Sequence, residues 1–207
     1  NITTNGTSDN WGIAINNGAP NNFVSNNIIS TQGSGATNYG INLFITVSGT
    51  NISNNNITTN GTSDNYGIIL NTGVYNSSIS NNIISTGGSA RNNYGIYLTN
   101  IVLRNNISSN TISTTGSNNS HGIKLELYSE NNTFDYNNIS TIGTSSYAVY
   151  ITSSNLSSFN HTLMNNTDGW VYISDTTKTN FTNTTFWMPN GSINIPFLTQ
   201  INGSVNI

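Results

Sequence analysis

Apolar residues recur along this chain in short alternating runs, and the runs themselves repeat. The segment Tyr66-Gly67-Ile68-Ile69-Leu70 sets an aromatic and a glycine before two apolar residues that flank a variable one. The same pattern stands at residues 11–15, 39–43, 94–98 and 121–125, and in altered form at 147–151. Alternation with period two predicts a short β-strand with one face turned inward. The copies return about every 27 or 28 residues, a period that marks a solenoid.

Four columns follow this period. Ile2, Ile29, Ile57, Ile84, Ile112 and Ile139 form one, with Thr4, Thr31, Thr59, Thr86, Thr114 and Thr141 two residues later. The paired residues Ile13/Ile15 through Val149/Ile151 form a third, and Val24, Ile52, Ile79, Ile107 and Phe134 a fourth. Gly6, Gly33, Gly61, Gly88, Gly116 and Gly143 punctuate each repeat where a turn can need φ > 0. Asn27, Asn55, Asn82, Asn110 and Asn137 each stand two residues before a first-column Ile. Stacked at a corner, identical amides can hydrogen-bond along the axis, so this column predicts an asparagine ladder.

No stretch shows sustained helical spacing with capping signals. Each repeat carries three short strands, and none can bury its apolar face alone. The chain is therefore expected to be all-β, a parallel β-helix whose coils stack about 4.8 Å apart. A longer unit is superposed: residues 1–10 recur verbatim as 56–65, and 26–31 as 81–86. One solenoid domain spans 1–207, with regular two-coil repeats over 1–148. Over 149–207 the coils shorten to about 22 residues, from Val149/Ile151 to Val171/Ile173 to Ile193/Ile195, and become rich in aromatics. That load implies a tighter end or a surface that something else covers. About eight coils give a rod of roughly 35 to 40 Å. Ile201 and Val205 compete for the last third strand.

Composition narrows the function. Charged residues are 5% of the chain, against roughly 25% in an average domain. A net charge of -3 and four scattered cations, Arg91, Arg104, Lys124 and Lys178, leave no basic face for nucleic acid. No apolar run is long enough to span a bilayer. Without cysteine there are no disulfides or thiolate metal sites. A chain that begins at Asn1, without methionine or signal segment, is expected to be a processed protein or a fragment.

Asn-X-Ser/Thr begins at Asn1, Asn5, Asn51, Asn56, Asn60, Asn76, Asn106, Asn118, Asn131, Asn138, Asn155, Asn160, Asn165, Asn180, Asn183, Asn190 and Asn202. Chance produces such triplets in a chain this rich in Asn, Ser and Thr. Their use would require a secreted protein carrying N-linked glycans.

The acids are Asp9, Asp64, Glu126, Glu130, Asp135, Asp168 and Asp175. Asp9 and Asp64 occupy equivalent loops two coils apart, near 10 Å, a spacing tolerable for an inverting glycosidase pair. They arise from one duplication, however, and no third group joins them. Lys124, Glu126 and Glu130 read as a solvated cluster, too poor in carboxylates for calcium. His121 replaces an aromatic, and His161 has no acidic or cysteine neighbour in sequence. No catalytic residue, metal site or cofactor is expected. The variable residue of the opening pattern points outward, so Ile69, Tyr97, Tyr150 and Tyr172 form an apolar stripe. Such a stripe can stack on sugar rings or pack on a neighbouring rod or covering loop.

The N-N-I-I-S-T and Y-G-I-x-L segments, with the asparagine column, resemble the right-handed parallel β-helix repeat family from residue 1 to about 175. That family includes pectate-lyase-like and glycoside-hydrolase-like enzymes. It also includes adhesin-like surface proteins of archaea and bacteria with no known chemistry. The resemblance implies the architecture and is nearly silent on activity.

The ends carry the functional expectation. Neither shows a capping helix, and Val205-Asn206-Ile207 stops near the phase where Asn1-Ile2 would resume. If Val205 falls in the Val24 column, the last coil of one molecule fits under the first of the next. A head-to-tail contact that does not close builds a fibre. The expected protein is an extracellular or cell-surface structural subunit whose partners are copies of itself. The rivals are an adhesin-like or carbohydrate-binding module and a polysaccharide lyase or hydrolase. An ice-binding Thr face is remote, because Thr is mixed with Ser in the outward column.

Overall fold

The computed structural model describes residues 1–166, 169–174, 178–187, 192–194 and 200–202. They form 24 strands and no helix. The first coil is Ile2–Gly6, Asn10–Asn16 and Phe23–Ser25. Seven more coils follow, so that each of three parallel sheets holds eight strands. The predicted columns are the registers: Ile2↔Ile29↔Ile57↔Ile84↔Ile112↔Ile139 in the first sheet, Leu43↔Leu70↔Leu98↔Leu125↔Ile151 in the second, and Val24↔Ile52↔Ile79↔Ile107↔Phe134 in the third. The shortening is gradual. Ile139 pairs with Met164, Met164 with Phe186, and Phe181 with Ile201. Ile201 thus takes the last place in the third sheet, and Val205 lies outside the described residues.

One apolar core runs along the axis, walled by the inward columns. The late aromatics belong to it: Phe134, Phe159 and Phe181 stack at 4.3 and 5.0 Å, and Phe186 is buried against them. These described rings tighten the core, whereas the side chains of Trp170, Trp187 and Phe197 lie outside the described residues. A further inward column, Val47, Val74 and Val102, lines a short fourth side between the second and third sheets. There the outward neighbours pair as single bridges, Pro20↔Ser48↔Tyr75↔Leu103. Thr31, Thr59, Thr86, Thr114 and Thr141 also face the core, and their hydroxyls find no partner among the described residues.

The corners explain the abundance of Asn-Asn pairs. In Asn26-Asn27, Asn54-Asn55 and Asn81-Asn82 the first residue takes the left-handed conformation that turns the chain, with φ of 57° at Asn54 and 56° at Asn81. The second points inward and joins the ladder. Asn27, Asn55, Asn82 and Asn110 each donate Nδ2 to the next ladder oxygen at 3.0 Å. Two more ladders were not anticipated. Asn10, Asn38 and Asn65 donate onward at 2.6–2.8 Å to Asn93, which reaches Ser120 Oγ at 3.2 Å. Asn22, Thr50, Ser77, Asn105 and Asn132 form the third. Each corner therefore satisfies its buried polar groups through the next coil.

The glycine expectation needs correction. Gly33, Gly61, Gly88 and Gly116 are not at left-handed φ; of that column only Gly143 is, at 148°. A Cβ on Gly61 would lie 2.2 Å from Asn38 Nδ2 and 2.7 Å from Asn65 Oδ1. These glycines make room for an amide ladder rather than for a turn.

Candidate functional site: the outer face of the second sheet

The strand alternation breaks at the motif glycine. Register passes from Tyr39↔Tyr66 to Ile41↔Ile68 without a pairing at Gly40. A Cβ on Gly40 would strike Ile57 Cγ2 at 2.3 Å and the Gly67 carbonyl oxygen at 2.5 Å. The aromatic before the glycine is therefore free to lie on the outer face beside the variable column, three residues from it. The signal was present: an aromatic ring in each of the first six coils, one step before a glycine or alanine.

On that face Trp11, Tyr39, Tyr66, Tyr94 and His121 stack as near-parallel rings with centroids 4.8–5.9 Å apart. The variable column joins them. Tyr97 packs edge-on to Tyr66 and Tyr94 at 5.1 and 5.2 Å. Tyr150 stacks on His121 at 4.5 Å and on Tyr172 at 4.7 Å. The register aligns the expected stripe, Ile69, Tyr97, Tyr150 and Tyr172, with Lys124 standing between Tyr97 and Tyr150. Ile69 is a correction: it points outward yet is 4% exposed, clustered with Tyr66 and Tyr94. Rings that stack along the axis consume one another's faces and leave edges and hydroxyls outward.

The polar groups are matched inside the same face. Tyr66 donates to Asp64 Oδ1 at 3.3 Å, and Tyr97 donates to Glu126 Oε1. Lys124 Nζ lies 2.9 Å from Glu126 Oε2 and 4.9–5.7 Å from the ring centroids of Tyr94, Tyr97 and Tyr150. This cation–π seat binds the lysine into the stack. Burial, with Asp64 and Asp9 nearby, pushes the Tyr39 phenol up to about 12. Burial raises Tyr66, Tyr94 and Tyr97 further, with Glu126 adding to the last as hydrogen-bond acceptor. These phenols are neutral donors at neutral pH. His121 is buried, and desolvation first, then Lys124, lowers its pKa to about 3. Its Nδ1 accepts the Tyr147 backbone N–H at 3.1 Å, and Nε2 pairs with Asn119 Oδ1 at 2.8 Å, which fits a neutral ring protonated on Nε2.

The other candidates are dispersed. Asp64 also accepts from Ser63 and Asn92, and Asp9 stands two coils away. Glu130 accepts from Asn155, and Asp135 lies 3.4 Å from His161, which stacks on Tyr136. No group of three or more metal-ligating side chains occurs among the described residues. Asn1, Asn5, Asn56, Asn60, Asn76, Asn106, Asn118, Asn131, Asn138, Asn165, Asn180 and Asn183 are exposed, whereas Asn51, Asn155 and Asn160 are half-buried. Asn190, the Asn202 side chain, Val205 and Ile207 lie outside the described residues, as do Asp168 and Asp175. Asn1 and Ile2 belong to the first coil, where Ile2 is half-buried. A shallow depression of about 370 Å³ on the first sheet is lined by Asn5, Gln32 and Asn60 with small neighbours, and carries no charged group.

No family model matches the chain, and neither a curated protein nor a solved structure matches it.

Proposed function

We propose that this chain is a structural protein of the cell surface or extracellular space, a stiff β-solenoid rod that adds copies of itself end to end. The observation that supports this reading is the sameness of successive coil-to-coil contacts. Through the first five coils each presents to the next the surface it receives from the previous one: an Ile column, three amide or hydroxyl ladders and an aromatic stack. A surface that fits its own upper neighbour also fits an equivalent coil of another copy. Such a head-to-tail contact extends without closing. The matched polar groups of the aromatic face suit a seam that stiffens the rod. The stacking of its rings leaves few free faces for sugar.

The exposed sequons fit a secreted glycoprotein whose sides are shielded by N-linked glycans. Intact mass of the protein from its natural source reads their occupancy directly.

Sedimentation velocity over a wide concentration range tests the assembly. The reading expects species that grow with concentration, without a fixed stoichiometry. A single sedimenting species of one-chain mass throughout would refute it.

A further inference from the structure

The short fourth side carries an apolar patch at odds with its backbone. Gly18 (φ 74) and Gly73 (φ 72) occupy the second residue of the turn leaving the second sheet, a left-handed position suited to glycine. Inter-coil hydrogen bonds show which residues share that place. Gly73 N donates to Asn100 O at 3.0 Å, Ile101 N to Leu127 O at 2.9 Å, and Tyr128 N to Ser153 O at 2.7 Å. In coils four and five the glycine position thus holds Ile101 and Tyr128, both at φ 64 and 50% and 63% exposed. Leu127 (φ 52) and Tyr75 are exposed beside them. Bulky residues in this region cost about 1 to 2 kcal/mol each. Their apolar surfaces face solvent as well, so the isolated rod gains nothing from the exchange.

Two opposite charges stand side by side at one edge of the patch. Arg104 N donates to Glu130 O at 3.3 Å, which sets the two residues on neighbouring coils of this side. Glu130 accepts one bond from Asn155, and Arg104 makes no ion pair among the described residues.

We propose that this side is an interface with a second copy of the chain, packed antiparallel about a two-fold axis between coils four and five. That axis lays Ile101 and Tyr128 of one rod on those of the other. It brings Arg104 of each against Glu130 of its mate, two ion pairs by one symmetry operation. The charge complementarity selects a copy of this chain over an unrelated apolar partner. Lateral pairing does not rest on end-to-end stacking, since it uses a side and stops at two rods.

Sedimentation equilibrium of the whole chain, with charge reversals, tests it. The wild type is expected to form a two-chain species. Arg104→Glu or Glu130→Arg alone should weaken it by about tenfold or more, and the double reversal should restore it. Ile101→Gly with Tyr128→Gly should abolish pairing while the circular dichroism spectrum is kept and Tm is unchanged or raised. Growth beyond two chains that Arg104→Glu leaves intact belongs to end stacking, and pairing is then read from the wild-type excess over that variant. A wild type that never pairs, pairing that survives the glycine variant, or a double reversal that fails to rescue would each overturn the proposal.

Discussion

Asn82 Oδ1 accepts two hydrogen bonds from Asn55, one from its backbone N–H and one from its side-chain Nδ2, each at 3.0 Å. Asn82 in turn donates Nδ2 to the Ile52 carbonyl at 3.0 Å and to Asn110 Oδ1 at 3.0 Å. One side chain therefore closes the corner of three coils. Asn82→Ala would deprive the buried Asn55 N–H of its acceptor and take the Asn82 Nδ2 donor from the Ile52 carbonyl, while the Asn55 amide keeps its bonds to Val24 O at 2.9 Å and Ser53 O at 3.1 Å. A loss of about 2 to 4 kcal/mol is expected in urea unfolding, against less than about 0.5 kcal/mol for the exposed Asn56→Ala.

A Cβ on Gly95 would lie 2.2 Å from Ile112 Cγ2 and 2.6 Å from the Gly122 carbonyl oxygen. Gly95→Ala should destabilise by about 1 to 3 kcal/mol through overpacking. The native chain tolerates alanine at the equivalent Ala148, whose neighbouring first-column residue is the unbranched Met164 rather than an isoleucine. Ile112→Met should accordingly recover part of the loss. The coupling is read from a double-mutant cycle of unfolding free energies.

The Thr86 hydroxyl is buried without a partner, as are its counterparts in the coils on either side. Thr86→Val keeps the branched shape and removes a desolvated hydroxyl. The variant should gain about 1 kcal/mol, seen as a higher urea midpoint. A lowered midpoint would mean that the hydroxyl has a partner.

His121 makes the fold sensitive to acid. Its folded pKa of about 3 lies below the ordinary 6.5, so the unfolded chain binds the proton more readily. Stability is therefore unaffected well above 6.5 and falls as pH drops from there toward about 3, by about 1.4 kcal/mol per pH unit at most. His121→Tyr, the residue of the same column in neighbouring coils, should flatten this part of the pH profile of Tm.

The columns and the first ladder were legible because identical letters recur at one spacing. The ladder of Asn22, Thr50, Ser77 and Asn105 was not, because Asn, Thr and Ser serve one hydrogen-bonding role under three names. The burial of Ile69 was hidden for another reason. Period two puts it outside, but the break at Gly67 swings Tyr66 over it. The glycines were located correctly and explained wrongly, because a close inter-coil approach leaves no mark in the sequence that differs from a turn.

Electron cryomicroscopy of the concentrated protein tests the structural reading most directly. End-to-end stacking predicts unbranched filaments whose axial repeat of about 4.8 Å runs without a break across each junction between copies. Isolated rods, one chain in length at every concentration, would contradict it.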